Sequence, residues 1–311
     1  MSANVETMFS TRVKPWHGLG TIVMEAPTSE TALELAGLDW NVVQREVYTD
    51  DNIHVPGYKV NVRDSDDAPL GIVTDKYKIV QNREAFKFTD DLLGEGVRYE
   101  TAGALQDGRR VWILAKMPEN YIIAGDKIEP YFLITNSHDG SSGIKACMTP
   151  IRVVCNNTLN LALSQAKRIW TTRHTENIRA RMNEAQETLF MADSYMSALG
   201  KEIDSLCRIR ISDQKVMQYM SEFFPVTEDM TDVQRKNNLK LLNNMKMRYF
   251  EAPDLLDVGK NGYRFINAVS DFATHAEPIR KTKNYNENLF IRTAEGNPLI
   301  DKSYQMIRAV A

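Results

Sequence analysis

The chain has 311 residues, and its 38 Lys and Arg against 41 Asp and Glu give a formal net charge of −3 at pH 7. This length allows one large domain or two, and 43% hydrophobic with 25% charged residues is typical of a globular protein. Three cysteines without a CxxC pair and five scattered histidines exclude a disulfide framework and a regular metal-ligand spacing.

The same composition excludes a membrane protein. No apolar run reaches the roughly 20 residues that a membrane helix needs. The first residues also lack the basic and apolar pattern of a signal peptide. We therefore expect a cytoplasmic protein without membrane contact.

The N-terminal region is predicted to begin with an irregular arm over residues 1–30, which Pro15, Gly18 and Pro27 interrupt. Ser29 can cap a short helix that ends near Gly37. Runs rich in β-branched and aromatic residues then predict short strands at residues 40–47, 58–62, 70–73 and 77–80. A helix is expected from Asn82 to about residue 93.

An antiparallel meander is predicted between residues 98 and 154. The dipeptide Asp107-Gly108 separates two apolar runs, 99–105 and 109–115, which is a strong hairpin signal. Residues 131–135 and 144–154 predict a second hairpin around the polar loop 136–143. Pro150 cannot donate a ladder hydrogen bond, which predicts a bulge, a bend or a sheet edge at that residue.

Helices are predicted to dominate from Asn156 onward, because helix-forming residues fill 178–207, 212–224, 231–250 and 261–275. The tail beyond Glu277 is polar and is expected to be loosely ordered. The order of elements predicts an α+β fold, an antiparallel β-meander with helices packed on one face, followed by a mainly helical C-terminal half. The expected domains are the arm 1–30, an α+β core 31–182 and a helical region 183–311.

Basic residues are concentrated between Ser141 and Met182, where seven Lys and Arg accompany one acid, Glu176. The rest of the chain therefore carries a net charge of about −9 against the total of −3. Such segregation indicates a face that binds a polyanion.

The hypothesis that follows is binding of nucleic acid, with single-stranded DNA as the expected partner. Lys and Arg side chains neutralise phosphates, and an aromatic ring can stack on a base. We expect a basic helix through residues 167–181. The candidate nucleic-acid-binding residues are Lys145, Arg152, Lys167, Arg168, Trp170, Arg173, Arg179 and Arg181.

Two motifs that contain histidine leave alternatives open. In Trp16-His17, His17 could be a base or a metal ligand, or Trp16 could anchor the arm in an apolar groove. His138 and Asp139 lie in a polar turn, and neighbouring strand residues point to opposite faces, so they do not form a catalytic pair by themselves. A plain turn, a hairpin tip that contacts nucleic acid and a metal or catalytic role all stay open for this loop.

Motifs for nucleotide hydrolysis and acyl transfer are absent from the sequence, which contains no GxGxxG, GxxxxGK[ST] or GxSxG. We therefore expect no cofactor and no enzymatic activity.

Several phrases of the sequence resemble the phage/plasmid-like protein family, whose members occur in prophages, phages and plasmids and have no known function. The resemblance covers nearly the whole chain and is carried by Pro15–Gly20, Ala36–Trp40, Tyr77 with Gln81-Asn82, Glu100–Gly103, Asn136–Gly140, Thr149–Leu159, Arg173–Thr175 and Asn267–Val269. It implies a mobile-element protein in a bacterial host cell and no particular activity.

A second similarity concerns topology alone. A meander followed by a helix, with a basic groove and no nucleotide motif, is similar to phage single-strand annealing proteins, which form rings that hold DNA without ATP. This similarity implies a homo-oligomer that promotes strand annealing in recombination. It matches no motif of those proteins residue by residue.

Two other functions are compatible with the sequence. An arm with an aromatic residue, Trp16, fits an interaction protein that engages a host defence or replication protein. A metal-dependent nuclease that uses His17, His138 and Asp139 is the third hypothesis. Binding of single-stranded DNA, with strand annealing, remains the main expectation.

Overall fold

In the computed structural model the described residues are 5–11, 21–23, 28–93, 98–117, 119–152, 157–158, 161, 169–175, 177, 180, 186–282, 285, 288–289, 292 and 296–309. The chain divides into two compact units that alternate along the sequence. The first unit contains Met1–Glu119, Pro130–Met148 and Arg168–Asp193, and the second contains Asn120–Glu129, Thr149–Lys167 and Ser194–Ala311. The domain boundaries at 30 and 182 stay a prediction.

The strands form a large, mostly antiparallel sheet and a separate three-stranded sheet, β3-β4-β5. The order in the large sheet is β11-β10-β9-β7-β6-β1-β2, with β12 on β10 and β8 on β9, and only β1 and β2 are parallel among its described pairs. The strands are β1 Val5–Thr11, β2 Thr21–Val23, β3 Val42–Tyr48, β4 His54–Arg63, β5 Pro69–Thr74, β6 Arg98–Leu105, β7 Arg110–Lys116, β8 Tyr121–Ile123, β9 Asp126–Ser137, β10 Ile144–Arg152, β11 Asn157–Thr158 and β12 Ile169–Thr172.

Several helices begin where a polar side chain accepts a hydrogen bond from a free backbone amide. Ser212, Thr231 and Asn261 each cap a helix in this way, and Thr231 forms a full capping box with Gln234. The helices are α1 Ser29–Leu35, α2 Asn82–Leu93, α3 Gln186–Arg208, α4 Asp213–Phe223, α5 Asp232–Phe250, α6 Gly262–His275 and α7 Pro298–Arg308, with a short 3-10 helix at Pro253–Leu255.

The core of the first unit lies between one face of the large sheet and the helices α1 and α2. Alternate residues of a strand point to the same face, so every second residue of β6 and β7 faces these helices. Apolar side chains from both sides meet there, namely Ala32, Leu33, Ala85, Phe86, Tyr99, Ala102, Ala104, Val111, Ile113 and Ala115. The arrangement confirms the predicted α+β class, with an antiparallel meander, helices on one face and a mainly helical C-terminal half.

The second unit is organised around α6, most of whose residues are buried on all sides. Arg264 lies inside this helix with only 6% of its surface exposed. Its guanidinium donates to the carbonyl of Tyr249 at 2.7 Å and 3.0 Å, donates to the carbonyl of Val258 at 2.9 Å, and lies over the Tyr249 ring. A buried charge is tolerated when carbonyl oxygens surround it in this way.

Several local predictions are wrong. Thr28 caps the first helix and Ser29 does not, since the Thr28 hydroxyl accepts from the Thr31 amide at 3.3 Å. The described parts of the segment 1–30 include two strands of the large sheet, so this segment is not an irregular arm throughout. Residues 157–158 and 169–172 are strands, not helix, because β-branched and aromatic residues such as Ile169 and Trp170 favour a pleated surface. Residues 77–80 form no strand, and the tail contains α7, which Asn297 caps.

Candidate functional site

Four strands of the first unit end or begin together at one end of the large sheet. β7 begins at Arg110, β9 ends at Ser137, and β10 and β12 pair so that Ile144 lies opposite Thr172. The side chains of Val111 and Ile144 face the core. Strand alternation therefore directs Arg110 and Lys145 to the opposite face.

Strand order and pairing place three cations in a row at this end, which we call the basic sheet end and define as Arg110, Lys145 and Arg173. Arg110 and Lys145 are half-buried, and Arg173 is exposed directly after β12. Neighbouring strands lie about 4.8 Å apart, so a row from β7 across β9 and β10 to β12 spans about 14 Å. Hydroxyl groups of Ser141 and Thr171 accompany the cations, and Thr171 pairs with Lys145 across the strands.

The loop between β9 and β10 is held by its own hydrogen bonds. The carboxylate of Asp139 accepts from the Ser137 hydroxyl at 2.8 Å and from the Ser141 amide at 2.9 Å. Burial raises the pKa of Asp139, but the bonds from Ser141 and Ser137 and the charge of Arg110 outweigh it, and the pKa is lowered. Arg110 donates to the Ser141 hydroxyl at 3.2 Å, which connects this cation to the loop.

His138 lies beneath the loop and is completely buried. Its Nε2 lies 2.9 Å from Oδ1 of Asn82, and the Asn82 amide nitrogen donates to the Leu38 carbonyl. Asn82 Oδ1 is therefore an acceptor, so Nε2 of His138 carries the proton and Nδ1 is a bare lone pair without a described partner. Burial, with a smaller effect of the nearby His174, lowers the pKa of His138 to about 3, and the imidazole is neutral at pH 7.

His174 anchors the end of β12 to the segment before α2. Its ring stacks on Tyr77 with 4.4 Å between ring centroids, and its Nδ1 lies 2.9 Å from the Lys78 carbonyl oxygen. The Tyr77 hydroxyl donates to the Ser137 carbonyl at 2.6 Å. Burial lowers the pKa of His174 and raises that of Tyr77, so both groups are uncharged at pH 7.

The three-stranded sheet approaches the same loop closely. The Asn61 amide donates to the His138 carbonyl at 2.6 Å. A Cβ atom on Gly71 would lie only 2.6 Å from the Cα atom of Asp139, so this position requires glycine. Bonds and close packing on both sides thus fix the loop that carries Ser141 next to the cations.

The structure brings together only part of the predicted set. Lys145 and Arg173 lie at the basic sheet end, whereas Trp170 is on the opposite face of the sheet and packs against the core cluster that includes Phe132. Arg152 lies in β10, where its backbone pairs with Asn157. Outside the described residues are Lys167, Arg168, Arg179 and Arg181, together with His17.

Sequence reasoning missed Arg110. The signal that could have found it is the Asp107-Gly108 turn, because that turn fixes the register of the β6–β7 hairpin. With Val111 and Ile113 facing the core, Arg110 must point to the face that carries Lys145.

The loop histidine is not at a surface tip. His138 is buried, and Asp139 is half-buried and occupied by loop hydrogen bonds. Across the part of the chain that the structure describes, no three His, Cys, Asp or Glu side chains are placed to bind one metal ion.

Residues 69–292 match the family described as a domain of unknown function, DUF932, and the chain belongs to this family. Comparison with curated proteins gives no match, and neither does comparison with solved structures. None of the helices within the described ranges is both long and apolar enough to cross a membrane.

Proposed function

We propose that this protein binds single-stranded nucleic acid through phosphate contacts at the basic sheet end. The observation that carries the proposal is the row of Arg110, Lys145 and Arg173 at one end of neighbouring strands, beside the hydroxyl groups of Ser141 and Thr171. Guanidinium, ammonium and hydroxyl groups are the side chains that most often contact phosphates.

The size of the row favours a flexible strand. A row of about 14 Å spans only a few nucleotides, and a single strand can bend to follow it. The loop under the row is tied to its surroundings through His138 and Asp139, so little order is lost when a strand binds. The five basic residues of the predicted set without described side chains, Arg152, Lys167, Arg168, Arg179 and Arg181, stay predicted phosphate contacts.

The proposal extends to the biological setting. We propose that the protein is encoded by a mobile element such as a phage, prophage or plasmid, acts in the bacterial host cell, and promotes strand annealing without ATP as a homo-oligomer. Support comes from the resemblance of the sequence phrases and from the order of elements, a meander followed by helices. Light scattering with and without a single strand tests the homo-oligomer, and a monomer under both conditions contradicts it.

The direct test compares wild type with the double variant Lys145→Glu/Arg173→Glu. Fluorescence anisotropy of a labelled single strand measures the binding constant at several salt concentrations. We expect the variant to bind at least about tenfold more weakly at low salt, since two phosphate contacts become repulsive.

The matched control is Lys87→Glu/Lys201→Glu, which makes the same change in net charge at two exposed lysines. If this control and the Lys145→Glu/Arg173→Glu variant bind equally, net charge alone explains the binding and the site is wrong. Near-wild-type binding by Lys145→Glu/Arg173→Glu also contradicts the site.

A second function, interaction with a host protein, has one observation in its favour. The outer face of the three-stranded sheet exposes Ile72 to 63% and Tyr58 to 49%. Exposed apolar side chains on a sheet face are typical of protein contacts. A host complex that resists nuclease and is lost in Ile72→Lys would favour this function, whereas recovery of nucleic acid alone would count against it.

A further inference from the structure

A groove of about 680 Å³ runs along the exposed side of α5 in the second unit. On this helix the lining extends from Lys236 to Met247, and Lys236 and Lys240 lie one turn apart. Residues at such spacing share one helix face. We call this surface the α5 groove and define it by Lys236, Asn237, Leu239, Lys240, Asn243, Asn244, Met247 and Ile279.

The polar lining consists of ammonium and carboxamide groups without a carboxylate. No ion pair to a described residue engages Lys236 or Lys240, and no described residue accepts a hydrogen bond from Asn237 or Asn243. Arg248 donates to Oδ1 of Asn244 at 2.8 Å, which leaves the amide nitrogen of Asn244 to donate. The groove therefore offers two positive charges and several amide donors.

The apolar lining distinguishes this surface from an ordinary solvated helix face. Met247 is 57% exposed, Leu239 43% and Ile279 41%. Apolar side chains beside carboxamides and ammonium groups match the three parts of a nucleotide, its base face, base edge and phosphate. An acidic peptide would use the lysines, and its backbone could bond to the carboxamides, but it lacks the flat faces that unstacked bases present to the apolar side chains.

We propose that the α5 groove is a second contact site for single-stranded nucleic acid, in which unstacked bases lie against Leu239, Met247 and Ile279. Lys236 and Lys240 neutralise the phosphates, and Asn237, Asn243 and Asn244 bond to base edges. A free nucleotide is the weaker match, because the groove is open and contains no backbone cradle for a terminal phosphate. The inference rests on the proposed function, since both surfaces take the same class of ligand.

The test uses the full chain and a labelled single strand, with two variants of the groove. Lys236→Glu/Lys240→Glu removes two phosphate contacts, so we expect at least about tenfold weaker binding at low salt and a log–log salt slope reduced by about 1.4. Asn243→Ala leaves the charge unchanged. It is expected to weaken binding severalfold at every salt concentration without a change of slope, as the loss of a base-edge contact predicts.

Comparison with the basic sheet end separates the two proposals. Loss in the groove variants with Lys145→Glu/Arg173→Glu unaffected supports the groove and contradicts the sheet end. Loss in Lys145→Glu/Arg173→Glu alone contradicts the groove. The control Lys87→Glu/Lys201→Glu should bind the strand like wild type. Circular dichroism establishes that each variant is folded. A loss of affinity in the control equal to that in the groove variants would overturn the groove.

A free nucleotide serves as the last arm of the experiment. Mononucleotide added in excess should leave the bound strand in place if the groove needs a strand. Full displacement by mononucleotide would overturn the assignment to a strand and identify a nucleotide pocket instead.

Discussion

His138 and His174 are neutral imidazoles in the interior of the first unit, and burial lowers the pKa of each below its usual value. A histidine with a lowered pKa binds its proton more tightly in the unfolded chain than in the folded one. Acid therefore favours unfolding: the contribution of such a group is fully present above its unfolded pKa of about 6.5. It is lost progressively as the pH falls from about 6.5 toward the folded value, which for His138 is about 3.

The first prediction concerns the slope of stability with pH. Wild type should lose up to about 1.4 kcal/mol per pH unit through His138 alone as the pH falls below about 6.5. In His138→Gln this loss should be absent, while stability at pH 7 falls by about 1–3 kcal/mol because the bond to Asn82 is disturbed. Urea unfolding at a series of pH values measures both quantities.

His174→Gln provides the comparison for that experiment. The pKa of His174 is also lowered, so its replacement should reduce the slope of the free energy of unfolding with pH in the same range. Parallel stability curves for wild type and both variants would contradict the neutral, buried state of these rings.

Gly71 is the second residue whose replacement has a predicted effect on stability. In Gly71→Ala the new methyl group would meet Asp139, so the three-stranded sheet and the loop must move apart. We expect a loss of about 1–3 kcal/mol in the free energy of unfolding. Gly200→Ala is the control, because its Cβ would meet Ile123 at 3.9 Å inside α3, where alanine should stabilise by about 0.5–1 kcal/mol. Equal effects of the two substitutions would refute the close approach.

At the scale of elements, local signals predicted much of the fold. The Asp107-Gly108 turn joins β6 and β7 as expected, with positive φ at Asp107 and Gly108. The helices α2, α4, α5 and α6 begin and end within about two residues of their predicted limits. The start signals of α4, α5 and α6 are side-chain caps, which act within one turn and can be read from the sequence, whereas the Asn82 carboxamide at the start of α2 bonds to Leu38 and His138.

Pairings between distant segments could not be predicted in this way. β12 pairs with the first half of β10 at Cys147, and β11 pairs with its end at Ile151. Between these partners lies Pro150, so the missing amide falls in a gap of the described ladder. The sequence therefore predicted the interruption of the ladder at Pro150. It could not predict that β11 and β12 pair on either side of it, because these pairings depend on contacts between distant segments.

The candidate site was predicted only in part, because it also depends on pairings between distant segments. Lys145 and Arg173 belong to the predicted basic segment, but Arg110 joins them from outside it through the register of β7 and β9. The prediction that Trp170 stacks on a base rests on its place among basic residues in the sequence. In the strand its side chain lies on the core face, away from the face that carries Thr171 and Lys145.

The prediction for the second unit concerns the contribution of Arg264 to stability. Replacement by Met leaves the carbonyl oxygens of Tyr249 and Val258 without their donors inside the protein. We expect a loss of about 2–4 kcal/mol in the free energy of unfolding, measured by denaturant titration. Arg280→Met, at an exposed position, should change stability by less than about 0.5 kcal/mol, and a similar result for both variants would contradict the role given to Arg264.

At the scale of the whole molecule, charge is distributed unevenly. A chain with a net charge of −3 has basic groups at the sheet end of one unit and along α5 of the other. Long-range repulsion from the acidic remainder would slow the approach of a polyanion at low salt, so binding requires local clusters of cations. Both proposed surfaces meet this requirement, the sheet end with the half-buried Arg110 and Lys145 and the exposed Arg173, and the groove with Lys236 and Lys240 along its lining.

The salt dependence of binding to a labelled single strand tests the central claim most directly. Wild type should bind at low salt, with a log–log slope of about −2 or steeper, since three cations at the sheet end release about 0.7 counterions each. The duplex of the same sequence should bind more weakly. Absence of binding at low salt, or affinity that does not change with salt, would contradict nucleic-acid binding by this protein.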